Sequence, residues 1–213
     1  MTKMLRLRTI STALSVEKGS SYNLDLKRII YGIKNDIGFK WDSISQSKED
    51  AIDFAHKYIN PEPKHMIDDT HFSLEYCLAH HGQMYNWHFR RGIIGKDEIA
   101  ISKLISENSC KVDLVLYRGV CDEVYDLMVK NAKPFKGVDY LEKGFMHCSL
   151  VKGQEINCRK KLRIFVPAES HVIYIGNAND EQHFFEVDIQ HGAKLKLISR
   201  DKYYYNCKLI STE

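Results

Sequence analysis

Leu114-Val115-Leu116-Tyr117-Arg118-Gly119-Val120 runs from four apolar residues directly into an arginine and a glycine. Such an apolar run, with valine and tyrosine in it, favours a buried β-strand. Arg118 then places a permanent cation at the end of the strand, and Gly119 allows a close approach to the backbone. The stretch therefore predicts a strand that ends in an anion-binding group.

Two later stretches extend this pattern. Lys143-Gly144-Phe145-Met146-His147-Cys148-Ser149-Leu150 predicts an aromatic-led strand that carries a serine, and Phe184-Phe185-Glu186-Val187-Asp188-Ile189 predicts a strand with a glutamate near its start. Arginine, serine and glutamate in this order resemble the Arg-Ser-Glu signature of mono-ADP-ribosyltransferase toxins and effectors. The resemblance covers roughly residues 80–200, and its specificity comes from several short motifs in a consistent order.

Composition indicates a globular protein. The 213 residues are 44% hydrophobic and 28% charged, which suits one domain of ordinary size. A formal net charge of +3 is too small to imply nucleic acid. No apolar run reaches the roughly 20 residues that a membrane span needs, and the basic start of the chain is not followed by the apolar region of a cleavable signal. The six cysteines lack the close spacing of a zinc site.

Helix patterns dominate the first half of the chain and strand patterns the second. Ser47, with Asp50 three residues later, predicts a helix start. Helices are predicted over 22–35, 47–59, 72–91, 96–107 and 122–131. Strands are predicted over 112–120, 145–150, 162–166, 171–175, 184–189, 194–199 and 203–210. This order predicts the α+β class.

The resemblance refines that class to an ADP-ribosyltransferase-like split β-sandwich core with an N-terminal helical lobe. Residues 1–20 are predicted as a flexible N-terminus, and 21–213 as one ADP-ribosyltransferase domain. Within it, 21–110 form the helical lobe and 111–213 the β-rich catalytic core. The dinucleotide of such enzymes sits in a cleft between two small sheets, so the candidate site is expected there.

By resemblance, Glu186 matches the catalytic glutamate, and Arg118 with Gly119 matches the group that holds the phosphate and ribose of NAD⁺. Ser149 ends the strand motif that the family usually writes Phe-x-Ser-Thr-Ser. His147 stands where the first serine of that motif is expected, and structural and functional interpretations of this histidine are equally open. Ser149 or His147 is expected to orient Glu186 or the nicotinamide ribose.

Further cofactor contacts are implied by the same resemblance. Asn86-Trp87-His88-Phe89-Arg90 is similar to an Asn-x-x-Leu-Arg pattern on a helix of the bacterial toxins, so Asn86 and Arg90 are expected to bind the dinucleotide. Phe145, which opens the serine strand, is expected to do the same. On an amphipathic helix, Arg90 beside Arg91 is equally compatible with a solvated face.

The proposed chemistry explains these residue types. Cleavage of the bond between nicotinamide and ribose develops positive charge on the ribose, and a fixed carboxylate such as Glu186 stabilises it. Arg118 and Arg90 would neutralise the diphosphate. NAD⁺ is thus expected as a substrate, and the reaction requires no metal.

One position departs from the family. The residue two places before the glutamate is commonly Glu or Gln and helps to select the acceptor, but here it is Phe184. The neighbouring Gln182 and His183 are candidates to take over this role in an acceptor loop. An arginine acceptor is therefore less secure than the NAD⁺ chemistry.

The sequence predicts an NAD⁺-dependent mono-ADP-ribosyltransferase that transfers ADP-ribose to a side chain of a protein and releases nicotinamide. By resemblance it is a monomeric bacterial effector or toxin, secreted and acting on a host protein in the host cytosol. No nucleic-acid partner is expected. Two alternatives remain open: an NAD⁺ glycohydrolase on the same fold, and a binding module that has lost its catalytic activity.

Overall fold

The computed structural model describes residues 37–176, 178 and 182–213, with the side chain of Gln182 excluded. These residues belong to one compact unit, Asp36–Glu213; the other unit, Met1–Asn35, lies outside the described residues. The helix predicted over 22–35, the flexible N-terminus predicted over 1–20 and the domain start at residue 21 therefore also lie outside them.

The helices match the predicted positions closely where a clear apolar period was present. In the described part of the chain they are α1 (Ile37–Asp42), α2 (Ala51–Tyr58), α3 (Leu74–Arg91), α4 (Lys96–Ser106) and α5 (Asp122–Ala132). The α3 helix begins where the Ser73 side chain accepts a hydrogen bond from the Tyr76 amide, 3.0 Å away, and ends at Gly92 in the left-handed conformation. None of the described helices is long and apolar enough to cross a membrane.

Each predicted strand corresponds to an observed strand. The described strands are β1 (Leu114–Val120), β2 (Tyr140–Glu142), β3 (Met146–Ser149), β4 (Lys160–Val166), β5 (Val172–Tyr174), β6 (Glu186–Ile189), β7 (Ala193–Arg200) and β8 (Tyr205–Ser211). The β2 strand was not predicted. The β6 strand begins two residues later than predicted, because a 3₁₀ turn occupies Gln182–Phe184 and Phe185 has a φ of 47°.

The strands form a mixed sheet in the order β2-β7-β8-β4-β1-β3-β6-β5. The sheet is nearly split at its middle. The β1 strand pairs with β4 along its full length, whereas it pairs with β3 only at Tyr117 and Ser149. Two half-sheets therefore diverge between β1 and β3, which agrees with the predicted α+β split-sheet architecture.

Two helices hold the second half-sheet in place. Leu78 of α3 and Ile101 of α4 are fully buried in one apolar cluster with Phe145 and Ile173, which come from the β3 and β5 regions. Full burial of such a side chain contributes about 1.5–3 kcal/mol relative to exposure. This packing fixes α3 beside the split in the sheet, so that one face of the helix can form a wall there.

Candidate active site

A cavity of about 190 Å³ opens at the split between the half-sheets. One wall comes from the end of β1, the opposite wall from β3 and the start of β6, and a third from α3. Of the residues predicted for the site, the cavity is lined by Arg118, Gly119, His147, Ser149, Phe184 and Glu186. The topology thus brings together side chains that are far apart in the sequence.

Arg118 is held from behind by a glutamate that the sequence analysis missed. The residue is 7% exposed, and its guanidinium donates to the Phe145 carbonyl at 3.4 Å and to Glu142 Oε2 at 3.3 Å. Two of its nitrogens are therefore engaged by the protein wall. The geometry fixes the plane of the guanidinium at the edge of the cavity.

Glu142 also binds a second arginine. Arg90 donates from Nε to Oε1 at 3.0 Å and from Nη2 to Oε2 at 2.8 Å, and the Gly144 amide donates to Oε1 at 3.0 Å. Burial alone would raise the pKa of Glu142, but the hydrogen bond from Arg90 and the charge of Arg118 hold it below its usual value. Glu142 is thus a buried carboxylate shared by two arginines.

Asn86, Arg90 and Phe145 do not line the cavity. The Asn86 Oδ1 accepts a hydrogen bond of 2.6 Å from the Phe145 amide, and the fully buried Phe145 ring packs edge-on against Phe89. The predicted cofactor contact therefore finds no support for Phe145, because its ring belongs to the core. Asn86 and Arg90 brace the wall, and their contact with a dinucleotide stays a prediction.

Gly119 allows two segments of the protein's own backbone to lie close together. A Cβ atom at this position would overlap the backbone carbonyl of Ile156, in the loop after β3. The glycine thus lets that loop pack directly on the end of β1. It still borders the cavity together with Ile156.

The hydroxyl of Ser149 is engaged by the turn that follows it in the chain. Its hydroxyl donates to the Val151 carbonyl at 2.9 Å and accepts from the Val151 amide at 3.1 Å, and the residue is 2% exposed. These two bonds stabilise the turn that follows β3. The structure thus gives Ser149 a local partner, whereas His147 lies within hydrogen-bond distance of Glu186.

His147 lies between two carboxylates. Its Nδ1 is 3.1 Å from Glu186 Oε1 and 2.8 Å from Asp188 Oδ1. Burial alone would lower the pKa of His147, but the charges of Asp188 and Glu186 outweigh it and raise the pKa to about 10. Burial and the charge of Asp188 in turn raise the pKa of Glu186 above its usual value.

Asp188 and Gly82 complete this cluster, and neither was predicted as part of the site. Asp188 is fully buried, and it lies directly opposite His147 in the antiparallel pairing of β3 and β6. Gly82 of α3 faces the imidazole: a Cβ there would be 2.5 Å from its Cε1. The alternation of side chains along β6 was the signal for Asp188, because residues 186 and 188 share one face of a strand.

The predicted acceptor loop is partly described. Phe184 borders the cavity, and its ring packs on that of His183 with centroids 4.2 Å apart. The side chain of Gln182 lies outside the described residues. An apolar ring thus occupies the position beside Glu186 where the resemblance implies a polar group.

The same cluster contains groups that are able to bind a metal ion, and a thiol lies beside it. His147, Glu186 and Asp188 offer ligand atoms within 4.8 Å of one another. A shared Nδ1 proton already accounts for their contacts, and an ion would have to displace it. The neighbouring Cys148 is buried, which raises the pKa of its thiol to about 12 and keeps it protonated.

No protein-family model and no curated protein sequence matches the chain. Several solved structures, however, have a similar fold. C3stau2 from S. aureus, with NAD, has a TM-score of 0.56 at 13% identity, covering 78% of this chain and 97% of that one. Plx2a, an ADP-ribosyltransferase toxin from Paenibacillus larvae, has 0.55 at 17% identity, covering 77% and 96%. The Clostridium limosum C3 exoenzyme has 0.54 at 15% identity, covering 78% and 95%. The chain therefore has the fold of the ADP-ribosyltransferase toxins.

Proposed function

We propose that this protein is an NAD⁺-dependent mono-ADP-ribosyltransferase, in which Glu186, Arg118 and His147 carry the chemistry. One observation supports this most strongly: Arg118 and Glu186 come from different half-sheets and line the same cavity at the split. The fold is shared with the ADP-ribosyltransferase toxin Plx2a and with C3stau2, which was solved with NAD. The proposal therefore rests on both the shared fold and the placement of Arg118 and Glu186 in one cavity.

The bond to be broken joins C1′ of the ribose to the nicotinamide nitrogen. The bonding electrons leave with nicotinamide, which becomes neutral, and positive charge develops on the ribose. Glu186 is 16% exposed as a side chain, so its carboxylate faces that charge in a partly dehydrated setting where electrostatic attraction is strong. The acceptor then bonds to C1′ and loses its proton.

Arg118 is proposed to hold the diphosphate. Glu142 and the Phe145 carbonyl engage part of its guanidinium, and the remaining N–H groups are available to the cavity. A guanidinium with a fixed plane loses less conformational entropy on binding an anion than a mobile lysine does. Arg90 is proposed to act through Glu142.

We propose that the acceptor is a side chain of a host protein, and that the enzyme is a secreted, monomeric bacterial effector acting in the host cytosol. No nucleic acid is required as a partner. Phe184 at the cavity edge offers no carboxylate or amide to a guanidinium, which favours an acceptor other than arginine. The reaction is proposed to need no metal, so a chelator should leave the rate of nicotinamide release unchanged.

The proposal is tested with labelled NAD⁺ and a eukaryotic cell lysate. Glu186→Gln removes the charge but keeps the shape, and it should abolish the labelled protein band. Glu49→Gln, an exposed carboxylate, serves as the matched control and should label like the wild type. A band of equal strength in Glu186→Gln would contradict the assignment of Glu186.

A glycohydrolase is the second candidate, and Phe184 is the observation that favours it. With no polar acceptor-selecting group at this position, water is the simplest acceptor. In that case nicotinamide is released at the same rate with and without lysate, and no protein is labelled. If the wild type neither labels a protein nor releases nicotinamide, neither enzyme assignment holds and the fold serves as a binding module.

A further inference from the structure

A single N–H group faces two carboxylates in the candidate site. The ring of His147 presents Nδ1 to both Glu186 and Asp188, and the distance to Asp188 is the shorter, at 2.8 Å against 3.1 Å. Asp188 is fully buried and does not line the cavity, whereas Glu186 does. Asp188 can therefore act on a ligand only through its neighbours, the imidazole of His147 and the carboxylate of Glu186.

The other edge of the ring is also confined. A Cβ atom on residue 82 would be 2.5 Å from Cε1 and 2.7 Å from Nε2 of His147. Glycine inside a helix costs about 0.5–1 kcal/mol relative to alanine, and Gly82 lies inside the 18-residue α3. The space that the imidazole of His147 needs explains why a glycine occupies this helical position despite its lower helix stability.

We propose that Asp188 is a positioning residue of the active site: it fixes the imidazole of His147 against Gly82, so that Nδ1–H holds the carboxylate of Glu186 in the cavity. This inference rests on the proposed function for its consequence in catalysis. Its structural part, the Asp188–His147 coupling, can be tested without NAD⁺.

The contribution of Asp188 depends on the other charged groups around the imidazole of His147. From β6, the ring faces the carboxylates of Glu186 and Asp188; from β1, Arg118 lines the same cavity. On its own strand the neighbour is the protonated Cys148, and α3 contributes the uncharged Ala79, Gly82 and Gln83 to the cavity wall. Without the charge of Asp188, one carboxylate remains to hold both the orientation and the proton of the ring.

The first experiment follows the imidazole of His147 by NMR during a pH titration of the protein without NAD⁺. In Asp188→Asn the pKa of His147 should fall by about 1 to 3 units relative to the wild type. Asp69→Asn, an exposed carboxylate, is the matched control and should leave this titration unchanged. An unchanged titration in Asp188→Asn overturns the proposal, whatever the catalytic activity of the protein.

The second experiment measures nicotinamide release. Asp188→Asn should lower kcat by about tenfold or more with a smaller change in KM, and should move the basic limb of the pH profile to lower pH. If kcat falls but the limb stays in place, the role of Asp188 is only structural and the proposal is wrong. If the wild type neither binds nor cleaves NAD⁺, the proposed function fails while the NMR result still decides the coupling.

A double-mutant cycle covers the case in which Asp188→Asn does not fold. Gly82→Ala should displace the imidazole and lower the pKa of His147 and kcat. In a His147→Ser background, where the ring is absent, Gly82→Ala should cause no further loss of kcat. Equal losses in both backgrounds would show that Gly82 serves the helix packing alone and would overturn its part in the proposal.

Discussion

The two charged clusters around the cavity are opposite in composition. On the β1 and β2 side, one buried carboxylate, Glu142, is shared by the cations Arg90 and Arg118. On the β3 and β6 side, one imidazole, His147, is shared by the anions Glu186 and Asp188. With His147 protonated, the first cluster carries one excess positive charge and the second one excess negative charge.

This difference matches the charge distribution of the proposed substrate. A diphosphate is anionic, and the ribose of the transition state develops positive charge. In each cluster, the central group is flanked by two partners of opposite charge, and one of those partners lines the cavity: Arg118 in the first cluster and Glu186 in the second. The cavity is therefore polarised by two pairs of like charges, and each pair is held together by a group of opposite charge.

The largest expected effect comes from breaking the centre of the first cluster. Glu142→Gln leaves the buried Arg118 and the partly buried Arg90 without their carboxylate, and should lower the free energy of unfolding by about 3–5 kcal/mol. Chemical denaturation measures this. Glu107→Gln, which removes an exposed partner of Lys103, is the control and should change stability by less than about 1 kcal/mol. A loss for Glu142→Gln as small as in the control would show that the cluster is not buried as described.

The next prediction separates the two arginines. Arg118→Lys should weaken NAD⁺ binding about tenfold or more, because the planar guanidinium borders the cavity. Arg90→Lys replaces a bidentate contact to Glu142 and should mainly lower stability, by about 1.5–3 kcal/mol. Calorimetric titration and denaturation measure the two effects. If Arg90→Lys weakens NAD⁺ binding as strongly as Arg118→Lys, the direct phosphate contact implied by the resemblance is right.

The two clusters were predictable from the sequence to different extents. Arg118 and Glu186 occupy the ends of clearly apolar strands, so pattern and order located both. Glu142 lies in β2, which has only three residues, and this is too short to show a period. Its partner Arg90 is on α3, and only the folded chain shows that the two meet. The six-residue α1 was missed for a similar reason, since it contains Gly38 and spans less than two turns.

Ser149 shows where resemblance was an incomplete guide. The strand motif places it correctly on the wall of the cavity, next to Glu186 in the pairing of β3 with β6. The motif says nothing of the turn that follows, and that turn engages the hydroxyl. His147, whose role was left open, instead contacts both carboxylates, because side chains two residues apart on a strand share a face.

The pH dependence of stability tests the charge of His147 in the second cluster. The folded state raises the pKa of His147 to about 10, against an ordinary value of 6.5. The stabilisation by the protonated ring is therefore complete below about pH 6.5 and is lost as the pH rises towards 10. The difference in unfolding free energy between the wild type and His147→Gln should shrink over this window. A difference that stays constant with pH would show that the imidazole is neutral in the fold.

The smallest expected effect is that of Ser149→Ala. Its hydroxyl is engaged by Val151 in both directions, so the substitution should cost about 1 kcal/mol of stability. Because this hydroxyl does not contact Glu186, kcat should change less than in Asp188→Asn, although Ser149 is the residue of the family motif and Asp188 is not. Denaturation and nicotinamide release, measured on both variants, check this order. The reverse order would mean that the hydroxyl leaves Val151 when NAD⁺ binds, and that the family role of this serine is retained beside the histidine cluster.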